Sequence, residues 1–140
     1  MIDTLEAKQS SIDRLGVFAK THIAENSYIA DYEGERISSD EAIRRESDPE
    51  REGVYTFWLD DDCVIDGYKN GNVLKYLNHS CTPNCSYEIT NERIMIFAIQ
   101  AIESGAELTI DYDYDPDTIL EPCLCGTDKC RGFINNLERA

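Results

Sequence analysis

Three short stretches of this 140-residue sequence carry side chains able to do chemistry. Asn78-His79-Ser80-Cys81-Thr82-Pro83-Asn84-Cys85 sets amide, imidazole, hydroxyl and thiol groups in one polar loop between apolar segments. Polar loops held by rigid scaffolds commonly carry function. A hydrolase using His79 with Ser80 or Cys81 is disfavoured. Nucleophile and base must face each other within hydrogen-bond reach, and adjacent residues of one loop point apart. Glu107-Leu108-Thr109-Ile110-Asp111-Tyr112-Asp113-Tyr114 alternates tyrosines at the end of a predicted strand. By itself that pattern usually means core or rim packing. Leu15-Gly16-Val17-Phe18-Ala19 contains a glycine that would let backbone approach a ligand closely.

The six cysteines are Cys63, Cys81, Cys85, Cys123, Cys125 and Cys130. The opening Met-Ile-Asp-Thr-Leu-Glu lacks a basic stretch followed by an apolar one, so no signal peptide is expected. A disulfide framework is then unexpected too. Cys123-x-Cys125-x4-Cys130, with a turn-like Gly126, reads as a metal-binding tail. It supplies three thiolates where a structural zinc takes four ligands, so the fourth must come from elsewhere. The bland alternative is a set of buried free thiols, and Cys63 is expected to be one.

Bulk properties bound these readings. The length fits one domain, and its hydrophobic content of 41% is ordinary for a globular protein. No apolar run reaches the roughly 18 residues of a membrane span. An intracellular protein, in cytoplasm or nucleus, is expected. Asp plus Glu number 28 against 13 Lys plus Arg, a net charge of −15. Direct nucleic-acid binding is therefore disfavoured. A basic protein segment would be attracted at long range, although acidity can also serve solubility alone.

The pattern of elements is mainly β with short helices. Strands are predicted over Leu15–Ile23, over Ser27–Arg36 with a bend at Gly34, and over Val54–Leu59 returning through Asp60-Asp61-Asp62 to Cys63–Asp66. Ser38 with Glu41 forms a capping box for a short helix over Ser39–Glu46. Val73–Leu77 reads as one helical turn. Cys85–Thr90 and Arg93–Gln100 form a hairpin, with Ile94–Ile99 expected to be buried on both faces. Glu107–Tyr112 is the last strand.

Taken together and in order, these segments resemble the SET-domain protein lysine methyltransferases, from about Arg14 to Phe133. The resemblance rests on Arg14-Leu15-Gly16-Val17-Phe18-Ala19, on Asp31-Tyr32-Glu33-Gly34-Glu35, and on Gly71-Asn72 through Lys75-Tyr76-Leu77-Asn78-His79-Ser80-Cys81-x-Pro83-Asn84. It rests further on Glu107-Leu108-Thr109-Ile110-Asp111-Tyr112 and on Cys123-Leu124-Cys125 with Cys130-Arg131-Gly132. Two departures stand out. Arg14 occupies the place of the family's first glycine, and no cysteine-rich pre-SET region is seen. Substrate presentation would rest on the core domain or on a homodimer.

The resemblance implies a SET fold (a β-clip of several small sheets with a C-terminal pseudoknot), with a SET domain over 1–118 and a post-SET zinc-binding tail over 119–140. It implies S-adenosylmethionine as methyl donor, leaving S-adenosylhomocysteine. Leu15, Gly16, Tyr55, Lys75, Tyr76, Asn78, His79 and Phe133 would bind it. Tyr112 and Tyr32 would be catalytic, with Phe57 completing the lysine channel, and Tyr87 and Ile110 would set how many methyl groups fit. Cys81, with Cys85 as fallback, would complete the zinc set of Cys123, Cys125 and Cys130. Substrate would bind as an added strand, and the acidity favours a basic segment such as a histone tail, with a ribosomal or other basic protein equally allowed. The competing readings are a catalytically inactive SET-fold module that binds a basic tail, which Arg14 favours, and a zinc-stabilised structural protein.

Overall fold

The computed structural model describes residues 2–12, 14–50, 55–60, 62–112 and 123–134. In chain order its strands are β1 (Leu5–Gln9), β2 (Leu15–Ala19), β3 (Tyr28–Asp31), β4 (Glu35–Ser38), β5 (Thr56–Trp58), β6 (Cys63–Asp66), β7 (Asn78–His79), β8 (Cys85–Thr90), β9 (Arg93–Ala98) and β10 (Glu107–Ile110). Among the described residues there is one α-helix, α1 (Ser39–Glu46), and there are two 3-10 turns, Ile2–Thr4 and Val73–Tyr76. No helix among them is long and apolar enough to cross a membrane.

The strands form three small sheets, ordered β1-β2-β10-β7, β3-β9-β8 and β4-β6-β5. In the first, β10 lies antiparallel to β2 and parallel to β7, with Thr109 opposite Asn78 and Ile110 opposite His79. The last described strand thus fills a slot between two strands made much earlier. The threading expected of a pseudoknot, and the domain boundary at 118, involve residues 113–122, outside the described residues.

Local chemistry explains most elements. Ser38 Oγ accepts the Glu41 N–H at 3.2 Å and caps α1. At the β8–β9 hairpin, Asn91 and Glu92 take φ of 49° and 61°, the left-handed pair a two-residue turn requires. Four deviations from the expected elements have physical causes. The stretch 27–36 is two strands in different sheets, because Gly34 passes against the Asp66 carbonyl with no room for a Cβ. β9 is not buried on both faces: Ile94, Ile96 and Ala98 are buried while Ile99 is 43% exposed, because only one face of its sheet meets the core. The outer face carries Phe97, packed edge-on to Tyr28 at 5.6 Å. β1, mostly polar, gives little pattern to read, yet it pairs along its whole length with β2. Cys63 is half-buried rather than fully buried, at the start of β6 next to the Asp60 turn.

The core gathers Val17, Leu74, Ile94, Ile96 and Leu108, all fully buried. Each contributes about 1.5–3 kcal/mol by leaving water. These side chains come from β2, the Val73–Tyr76 turn, β9 and β10, so the core fixes the elements that carry the functional stretches.

Candidate active site

Asn78 and His79 are both buried, at the junction of β7 with β10. Asn78 Nδ2 donates to the Leu15 carbonyl at 3.2 Å and to Glu107 Oε2 at 2.9 Å. Glu107 also accepts from the Ser10 hydroxyl at 2.7 and 2.9 Å. One side chain thereby pins the glycine-bearing strand to β10. Gly16 is needed here for packing, since a Cβ would run into the Glu107 carboxylate and the Ser10 side chain. Asn84 makes a matching pin: its Nδ2 donates to the Glu107 carbonyl at 2.9 Å and its Oδ1 accepts the Thr109 N–H at 2.8 Å. Arg14 stands exposed just before β2 with φ of 34°, a backbone that suits glycine.

His79 Nδ1 accepts the Tyr112 N–H at 3.0 Å. Burial holds its pKa down to about 4, so the ring is neutral near pH 7. With Nδ1 accepting, the ring proton sits on Nε2, 3.6 Å from Cys81 Sγ. The Tyr112 hydroxyl donates to the Leu77 carbonyl at 2.5 Å. Tyr112 is therefore gripped at both its backbone and its hydroxyl.

Aromatic side chains from other elements pack in two groups. Tyr32 is buried, its hydroxyl donating to the Tyr55 carbonyl at 2.6 Å. Its ring lies 5.2 Å from Phe57, and Phe57 meets Tyr87 edge-on at 4.9 Å. Tyr55 stacks on Tyr68 at 5.4 Å and meets Tyr76 edge-on at 6.3 Å. Lys75 Nζ lies 5.1 Å from the Tyr76 ring. Ile110 is buried within the core. Phe133 is half-buried in the tail, where its carbonyl accepts from Arg131 Nε at 3.0 Å.

The sulfur atoms of Cys81, Cys123, Cys125 and Cys130 all lie within 4.8 Å of one another, and Cys81 to Cys123 is 3.7 Å. Four thiolates about 2.3 Å from a tetrahedral ion stand about 3.8 Å apart, so the set can hold a metal. Backbone N–H groups of Arg131, Cys125 and Gly132 point at Cys81, Cys123 and Cys130 sulfurs at 3.3, 3.4 and 3.4 Å, as suits anionic sulfur. Cys85 is excluded: it is buried in the core, and that burial pushes its thiol up to about 12.

Sequence reasoning missed several residues that assemble this region. Arg131 forks onto both Asp111 oxygens, each at 2.9 Å. Asp111 Oδ1 in turn lies 3.5 Å from His79 Nδ1. Ser10, Glu107 and Asn84 are the others. Asp111, Arg131, Glu107 and Asn84 stand within the quoted motifs, which was the available signal, whereas Ser10 carried none; the partners of each lie far along the chain.

A SET domain family model matches residues 14–113. Three fungal proteins, each named "Histone-lysine N-methyltransferase, H3 lysine-4 specific", are similar over most of the chain. The Schizosaccharomyces pombe protein is 40% identical over 90% of this chain. The Aspergillus oryzae protein is 38% identical over 91%, and the Candida albicans protein 37% over 91%. The chain spans 14%, 11% and 13% of their respective lengths. With 100 contiguous residues matched and every motif of the site falling in order, the chain belongs to the SET domain family.

Proposed function

We propose that this chain transfers methyl groups from S-adenosylmethionine to a lysine ε-amine in a basic protein segment, with lysine 4 of histone H3 as leading substrate. The observation that carries the reading is the double grip on Tyr112 by His79 and the Leu77 carbonyl. A loosely packed rim tyrosine would not need it. The net charge of −15 and the names of the fungal relatives support a histone tail.

The chemistry assigns tasks to particular side chains. S-adenosylmethionine, when bound, supplies an electrophilic methyl on a sulfonium. Leu15 and Gly16 backbone, Tyr55, Lys75, Tyr76, Asn78, His79 and Phe133 would hold it. Asn78 fits this task because it fixes the Leu15 carbonyl and β10 at once. A lysine with pKa about 10.4 is almost wholly ammonium near pH 7 and has no lone pair to give. Tyr32, Phe57 and Tyr87 offer aromatic walls that strip water from the amine and favour its neutral form. Tyr112 would orient the amine, and alignment of this kind supplies much of the rate. Zinc, bound by Cys81, Cys123, Cys125 and Cys130, would hold the tail against the Asn-His loop.

The test is transfer of labelled methyl from S-adenosylmethionine to core histones, with Tyr112→Phe alongside. Label on histone H3 that disappears in the variant supports the reading. Absence of both label and cofactor binding in the parent chain would sink it and favour a binding module.

A further inference from the structure

We infer that Arg131 is a positioning residue for Tyr112, fastening the cysteine centre to the strand that carries the tyrosine; its kinetic consequence rests on the methyl-transfer reading above. Arg131 directly follows the metal-ligand candidate Cys130. Its backbone N–H points at Cys81 Sγ at 3.3 Å. Its guanidinium forks onto Asp111 at 2.9 Å through both terminal nitrogens. The same guanidinium donates to the carbonyls of Phe133, at 3.0 Å, and of Ile134. One residue thus reaches the cysteine centre through its backbone, and the Asp111 carboxylate and the tail carbonyls through its half-buried side chain.

Asp111 precedes Tyr112, so fixing its carboxylate fixes the backbone that presents the Tyr112 N–H to His79. A bidentate fork holds orientation as well as distance, which a lone ammonium does not. Asp111 Oδ1 sits 3.5 Å from His79 Nδ1, an atom already used as acceptor. With both oxygens engaged by the guanidinium, Asp111 has a partner other than that ring. Loss of the fork lets the carboxylate turn and the Tyr112 backbone shift. A displacement near 1 Å at a reacting group costs up to about a hundredfold in rate.

The experiment uses the full chain with Arg131→Gln, Arg131→Lys, Asp111→Asn and the Arg131→Gln/Asp111→Asn pair. Metal content, kcat, KM and hydrogen exchange at the Tyr112 amide are measured for each. The expected result is retained metal, kcat lower by roughly tenfold to a hundredfold, KM changed little, and a faster-exchanging Tyr112 amide. Arg131→Lys should recover only part of the rate. The double variant should be no slower than either single, because both remove one contact. Asp111→Asn leaves the cysteine segment untouched, so parental kcat and parental exchange at Tyr112 in that variant overturn the inference. Rate losses that only track metal loss overturn it as well. If the parent chain transfers no methyl, the functional reading fails separately, and the exchange measurement still judges the coupling.

Discussion

Replacing Asn78 by aspartate keeps the shape of the side chain and inverts the role of one atom. The amide nitrogen that donates 2.9 Å to Glu107 Oε2 becomes an oxygen facing an oxygen. Two carboxylates at such distance titrate as a pair whose apparent pKa values separate by about 3 pH units, as in other shared-proton carboxylate sites. The upper value then lies near 7 when folded, against about 4 unfolded. A carboxyl whose folded pKa is raised is harmless below its unfolded pKa, and its cost grows with pH up to the folded value. At 1.36 kcal/mol per pH unit, the pair costs about 2 kcal/mol at pH 5.5 and about 4 kcal/mol at pH 8. At roughly 4 °C per kcal/mol for a chain of this size, the melting deficit widens by roughly 8 °C between those conditions. Melting curves of the parent, Asn78→Asp and Asn78→Ala at both pH values test this. Asn78→Ala loses its hydrogen bonds without adding charge, so its deficit should be nearly the same at both. Equal deficits for Asn78→Asp at pH 5.5 and pH 8 would refute the assignment of Glu107 as its close partner.

Cys81→Ser should lower metal content measured by atomic emission, whereas Cys85→Ser should keep it and only weaken the core by about 1–3 kcal/mol through a buried hydroxyl. Arg14→Gly should raise stability by about 1 kcal/mol in urea titrations, because φ of 34° suits glycine; an unchanged or lower midpoint counts against backbone strain there. Tyr87→Phe should increase the number of methyl groups added per lysine, read by mass spectrometry, because the proposed role of the hydroxyl on this ring, which packs against Phe57, is to restrict space; an unaltered product distribution counts against that role.

What could be read from sequence was what local rules encode. Ser38 and Glu41 announced α1, and Asn91-Glu92 marked the hairpin, because cap and turn partners lie within a few residues. The Cys-x-Cys-x4-Cys spacing disclosed three metal ligands for the same reason. The fourth was not deducible from spacing, since Cys81 and Cys85 are alike until the fold buries one in the core and brings the other to the tail. Resemblance, rather than pattern, chose Cys81. The pins that assemble the site escaped because each joins distant residues. Ser10 meets Glu107 across 97 positions, and Asp111 meets Arg131 across 20. Nothing near an isolated serine or arginine tells which carboxylate it will find. Gly16 was expected to make room for a ligand, and its packing against Glu107 became visible only with β10 in place.

The slot between β2 and β7 has a consequence for how the molecule comes into being. Leu108 pairs with Val17, so a strand made near the start of synthesis waits for one made some ninety residues later. At about 5–20 residues per second on the ribosome, that wait lasts on the order of 5–20 seconds. The β2 edge is open throughout that wait, and the β7 edge joins it once residue 79 is made; unpaired edges of this kind pair with other chains. On the proposed reading, methyl transfer has to wait for the same stretch, because Tyr112 and its hydrogen bond to His79 follow directly after the strand that closes the gap. A cut that removes everything after Gly105 would leave most of the domain's mass without β10, Tyr112 or the cysteine tail, and with an open seam for aggregation. The strand that closes the sheet and the segment that would do the proposed chemistry are thus made together.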